Sequence, residues 1–113
     1  NGYSICIEKN NLKTGIKSAL LIDINAFKDP DKTSTNLIGA NIIEAKRRNC
    51  DIFEFRGFDN EKISYMNFFD PFKKKLLNNP FCYKTNNKKL SKLLAQSKYW
   101  CPSYLDGDAI VDL

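Results

Sequence analysis

Tyr3, Ile5 and Ile7 alternate with Ser4, Cys6 and Glu8, the period-two pattern of a strand with one buried face. The run Lys9, Asn10, Asn11, Leu12, Lys13, Thr14, Gly15 then reverses the chain. Over 18–24 the sequence reads Ser-Ala-Leu-Leu-Ile-Asp-Ile, almost unbroken apolar, as expected where a strand is covered on both faces. The two runs predict a hairpin whose second strand is the sheet centre and continues to Asn25 or Phe27, where Asp29, Pro30 and Asp31 break it.

Residues 33–48 carry the clearest helical pattern, with Leu37, Ile38, Asn41, Ile42 and Ala45 on one stripe and Thr33 or Ser34 as N-cap. Lys46, Arg47 and Arg48 crowd its last turn, where cations suit the helix dipole. A short aromatic strand over 50–55 follows and ends at Arg56 and Gly57. Strand, helix, strand with a single crossover predicts a parallel, right-handed pair. A short helix is expected over 60–67, a restart at Asp70 and Pro71, a strand over 80–84, a helix over 87–99 spaced by Leu90, Leu93 and Leu94, and a short strand over 109–111. The expected fold is a single α/β domain over residues 1–113: a mixed sheet with an N-terminal hairpin, a βαβ crossover and flanking helices.

A chain of 113 residues is long enough for a self-standing core. No apolar stretch approaches the roughly 20 residues that span a bilayer, so a transmembrane protein and a membrane partner are not expected. The absence of His removes Ser-His and Cys-His pairs, His-ligated zinc and imidazole acid-base chemistry. The net charge of +5 comes almost wholly from Lys, the arginines being Arg47, Arg48 and Arg56. Arginine is the preferred fork for phosphate and base recognition; a scattered lysine surplus, with Lys73, Lys74 and Lys75 read as a solvated face, argues against nucleic acid.

Cys6, Cys50, Cys82 and Cys101 lie far apart with no CxxC pair, which speaks against zinc and for small, reduced, structural thiols. A cytoplasmic protein is the expectation. The sequence does not begin with Met, which leaves open a removed upstream segment.

The order of a hairpin, a long apolar strand, a loop, an amphipathic helix ending in Ala-x-x-x-Asn-Cys and a further strand resembles the C-terminal half of the GNAT N-acetyltransferase superfamily, over about residues 3–55. The resemblance implies acetyl-CoA (or another acyl-CoA) as cofactor. It implies that the backbone of Leu21, Ile22, Asp23, Ile24 and Asn25 receives the pantetheine arm, and that the following loop and helix start, with Lys32, Thr33, Ser34 and Thr35, receives the pyrophosphate. Free N–H groups and the positive dipole end attract an anion at such a place. The family's small loop positions fall on Lys32 and Ser34, and Asp29 and Asp31 stand where the pyrophosphate would approach. The family's first strand and two helices have no counterpart here, which implies a fragment of a larger acyltransferase, or another chain or N-terminal segment that completes the fold.

Acyl transfer to an amine needs a base for the nucleophile and an acid for the departing thiolate. The resemblance points to Tyr65, one residue out of register, as the acid, with Tyr83 as the alternative; a packed aromatic is the competing reading of each. Glu54 and Asp23 interrupt apolar strands and are the base candidates, with an ion pair to Arg56 an equal explanation of Glu54. Asp106 and Asp108 flank Gly107 as a turn, and no calcium loop is present in the pattern. Three functions follow: an acyl-CoA-dependent N-acyltransferase, or its cofactor half, acting on a small-molecule or peptide amine; a non-catalytic α/β interaction domain; and a polyanion or nucleic-acid binder.

Overall fold

The computed structural model describes residues 1–74 and 84–96. The backbone forms two compact units, one built on Asn1–Asp70 and the other on Pro71–Cys101. In the first, a three-stranded sheet has the order β1 (Gly2–Asn10), β2 (Lys17–Ala26), β3 (Ile52–Phe55). β1 runs antiparallel and β3 parallel to the central β2, so the chain is α/β with a mixed sheet, as expected.

The hairpin turn closes where Asn11 N–H donates to Ile16 O (2.9 Å) and Gly15 N–H donates to Asn11 O (2.8 Å). Gly15 takes φ 73, open to glycine without the Cβ clash other residues meet there. One irregularity matters for the faces of the sheet: Ile5 pairs with Asp23 but Cys6 with Leu21, so Ile22 is an extra residue in β2. Such a bulge resets the alternation. It lets Leu21 and Ile24 share the covered face although they are three apart, and turns Asp23 to the other.

Helix α1 spans Pro30–Arg47, three residues earlier than the expected start at Thr33. Proline at the first helical position lacks only an N–H that would be unbonded anyway, and its φ is already helical; Pro30 starts the helix instead of breaking the chain. The preceding Asp29 is left-handed (φ 49) and gives no side-chain cap, so neither Thr33 nor Ser34 is the N-cap. At the other end Cys50 N–H donates to Ala45 O (2.9 Å) and Asn49 N–H to Lys46 O (3.0 Å), with Asn49 left-handed at φ 57. These are the two bonds of a Schellman cap. Cys50 therefore belongs to the cap, and β3 starts at Ile52 rather than at Cys50.

The expected stripe packs as proposed. Ile38 and Ala45 are buried, Leu37 and Ile42 pack against the core, and Ser34 is buried one turn before Ile38. Asn41 donates to Ser4 Oγ (2.7 Å) and to Leu37 O (2.8 Å), which ties the helix to β1. The core joins Leu21 and Ile24 of β2 to Ile38, Phe58 and, from α2 (Asn60–Met66), Tyr65 and Met66. Asp59 caps α2 by accepting from Lys62 N–H at 2.8 Å. A short 3-10 turn over Asn67–Phe69 then ends at Asp70, whose N–H donates to Asn67 O. Asp70 thus closes one turn with φ 48 and does not open another; residues 71–74 hold no helix.

In the second unit, α3 spans Lys88–Leu94, capped by Asn87 Oδ1 through the amides of Lys89 (3.0 Å) and Leu90 (3.1 Å). The expected strands over 80–84 and 109–111, apart from Lys84, and the helix past Gln96 lie outside the described residues, as do Cys82, Cys101, Asp106 and Asp108. Cys6 and Cys50 are free thiols. Among the described residues no helix is long and apolar enough to cross a membrane, and no cluster of His, Cys, Asp and Glu could hold a metal.

Candidate functional site

The end of β2, the first turn of α1 and helix α2 meet on one side of the sheet. Gly2, opposite Ala26, marks the approach: a Cβ there would lie 2.5 Å from Asn25 O and 3.0 Å from Thr33 Cγ2. Parallel pairing of β2 with β3 covers only Ser18, Ala19, Leu20 and Leu21, so residues 22–26 run on past it.

Leu21, Ile22 and Ile24 are buried to 2% exposure or less, so neither their side chains nor their backbone is open to a ligand. Asp23 is on the opposite face, accepting from Tyr3 Oη at 2.8 Å and from Ile24 N–H at 2.9 Å. Asn25 is exposed. In the first turn of α1 the hydroxyls are already engaged: Thr33 Oγ1 donates to Lys28 O (2.7 Å) and Thr35 Oγ1 to Asp31 O (2.8 Å), while Ser34 points into the core. Thr33 N–H donates to Asp29 O. Pro30 has no N–H, which leaves the amides of Asp31 and Lys32 without a partner among the described residues. Lys32 is exposed beside them, and Asp29 and Asp31 put two carboxylates at the same dipole end.

Tyr65 sits close to this turn. Its hydroxyl bonds Glu61 Oε1 at 3.1 Å, and burial, then Glu61, then the negative charges of Asp31 and Asp59, push its pKa up to about 12. At neutral pH the phenol keeps its proton and donates a hydrogen bond to Glu61. Glu54 stands elsewhere. It pairs with Leu20 in register, between Phe53 and Phe55, which both pack on the core; by alternation its side chain is on the face away from α1. There it meets Arg56 at 3.6 Å, the two side chains about one-third exposed. The arrangement brings Tyr65 towards the start of α1 and keeps Glu54 and Asp23 on the other face. Tyr83 lies outside the described residues.

Two cavities open at the hairpin end. One, of about 440 Å³, lies between β1 and the C-terminal half of α1 and is lined by Cys6, Ala19, Asn41, Arg48 and Cys50 among others; the second, of about 310 Å³, includes Ser18, Glu54 and Arg56. Neither is lined by Tyr65 or by the first turn of α1. In the first, burial, then the neighbouring Cys50, then Glu8 push the Cys6 thiol up, which keeps it a thiol rather than a nucleophilic thiolate.

Sequence reasoning missed Glu61, and it expected the free amides of the helix start over Lys32 to Thr35, whereas the earlier start at Pro30 leaves them on Asp31 and Lys32. The Asp-Pro dipeptide ahead of a helical stripe was the signal for the amides, and the i, i+4 spacing of Glu61 and Tyr65 was the signal for Glu61. Comparison with protein-family models, curated proteins and solved structures returned no match.

Proposed function

We propose that this chain works as a non-catalytic α/β interaction domain. The observation that carries this reading is the separation, among the described residues, of the acid candidate Tyr65 from the base candidate Glu54. Tyr65 packs on the α1 side and holds Glu61, while Glu54 faces the opposite side and holds Arg56. An acyl transfer needs both groups within reach of one reacting centre, and two groups separated by a sheet do not share one. Titration calorimetry with CoA and acetyl-CoA tests the reading: the absence of saturable heat at millimolar ligand supports it.

A second reading, that the chain is the acyl-CoA-binding half of an N-acyltransferase, is favoured by one specific feature. β2 runs past its pairing with β3 towards a helix start that offers two free amides and Lys32. A saturable signal in the same titration, weakened by Lys32→Glu and strengthened by Asp31→Gly, selects this reading over the first.

A further inference from the structure

The charge of the chain is divided between its two units. Pro71–Cys101 contains eight lysines and not one Asp or Glu, whereas the remainder carries ten of the Lys+Arg residues against all 13 acidic ones. A net charge of +5 for the whole chain conceals a small cationic unit joined to an acidic one.

Within the cationic unit, Lys84, Lys88, Lys89 and Lys92 are exposed, and none of them has an ion pair among the described residues. On α3, Lys88, Lys89 and Lys92 occupy one arc of the helical wheel and Leu90, Leu93 and Leu94 the adjoining arc. Leu90 is 43% and Leu93 47% exposed, and Phe72 in the same unit is 96% exposed. Bare lysines beside bare leucines on one helix match an anionic interface with an apolar layer beneath it. All three arginines lie outside this unit, so forked base contacts have little to build on.

We propose that α3, with the neighbouring Lys84, docks the protein on a lipid surface rich in anionic headgroups, Lys84, Lys88, Lys89 and Lys92 at the phosphates and Leu90 and Leu93 in the headgroup–acyl boundary. This inference is independent of what the sheet unit does.

Sedimentation of the full chain with vesicles tests it, using phosphatidylcholine alone against phosphatidylcholine with about one-third phosphatidylserine. Binding is expected only to the anionic vesicles and is expected to fall steeply in about 1 M salt, where charge is screened within ~3 Å. Replacing Lys84, Lys88, Lys89 and Lys92 with Gln should weaken it by more than about a hundredfold, at roughly fivefold per lysine. Leu90→Ser with Leu93→Ser should weaken it by about tenfold at low salt, a loss that charge alone does not explain. Failure to bind phosphatidylserine vesicles, or equal binding to both vesicle types, overturns the proposal. So does tight binding to a single-stranded oligonucleotide combined with vesicle binding indifferent to the leucine changes, which would make the unit a nucleic-acid binder.

Discussion

Glu8 of β1 and Arg48 at the end of α1, 40 residues apart, meet at 2.9 Å, and the same guanidinium reaches Glu44 at 2.7 Å. Lys17 joins Glu8 at 3.0 Å and donates to Arg48 O at 2.8 Å, so the hairpin end and the helix end are held by one charged cluster. Hydrogen bonds from Arg47 and then Arg48 hold the Glu44 pKa down to about 2, and hydrogen bonds from Lys17 and then Arg48 lower that of Glu8. A carboxylate whose folded pKa lies below its unfolded value stabilises the fold above the unfolded value and loses that contribution as pH falls through the folded one.

Stability in urea is therefore expected to hold down to about pH 4.5 and to decline from there towards pH 2. Arg48→Gln should flatten that decline, and salt should shrink it because the cluster is exposed. An identical pH profile in the variant would remove the cluster from the account.

Ile38 is fully buried, whereas Ile43, on the same helix, is 71% exposed. Ile38→Ala should cost about 2–5 kcal/mol as a buried truncation, while Ile43→Ala should stay within about 0.5 kcal/mol. Denaturant melts of the two variants check the face of α1 directly, and similar losses at both positions would rotate the helix from where it is placed.

The left-handed Asn49 gives a backbone test. Glycine meets no Cβ penalty at φ 57, so Asn49→Gly should be neutral or mildly stabilising, and Asn49→Val should cost about 1–2 kcal/mol. Equal melting of the two would mean that the helix does not end in this cap.

Burial and the hydrogen bond to Glu61 push the Tyr65 pKa up to about 12, from about 10 for a free tyrosine. Its folded state keeps a proton that the unfolded chain releases, so its contribution is present below about pH 10 and is lost as pH rises through about 12. Wild type should lose stability relative to Tyr65→Phe over that window; parallel curves would contradict the buried, Glu61-bonded phenol.

Where local pattern and tertiary packing demand the same thing, the elements could be read directly. The alternation from Tyr3 to Ile7, the apolar run of β2 and the Leu37–Ile38–Ile42–Ala45 stripe are examples. Boundaries failed where one residue serves two roles. Pro30 both ends an extended run and starts a helix, and Cys50 looks like strand but is bonded back to Ala45. Glu54 between Phe53 and Phe55 already implied opposite faces, but that α2 lies on the phenylalanine side depends on how Phe58, Tyr65 and Met66 close the core, which periodicity does not encode. The bulge at Ile22 is likewise invisible because Ala19, Leu20, Leu21 and Ile22 are all apolar and show no alternation to break.

The central claim, that Tyr65 forms no common catalytic centre with Glu54 or Asp23, is tested most directly by measuring CoA released from acetyl-CoA, by mass spectrometry, in the presence of the full chain and an excess of small-molecule and peptide amines. The account predicts release no faster than in buffer, and no difference between wild type, Tyr65→Phe and Glu54→Gln. Release well above buffer that drops in Tyr65→Phe or in Glu54→Gln would contradict it.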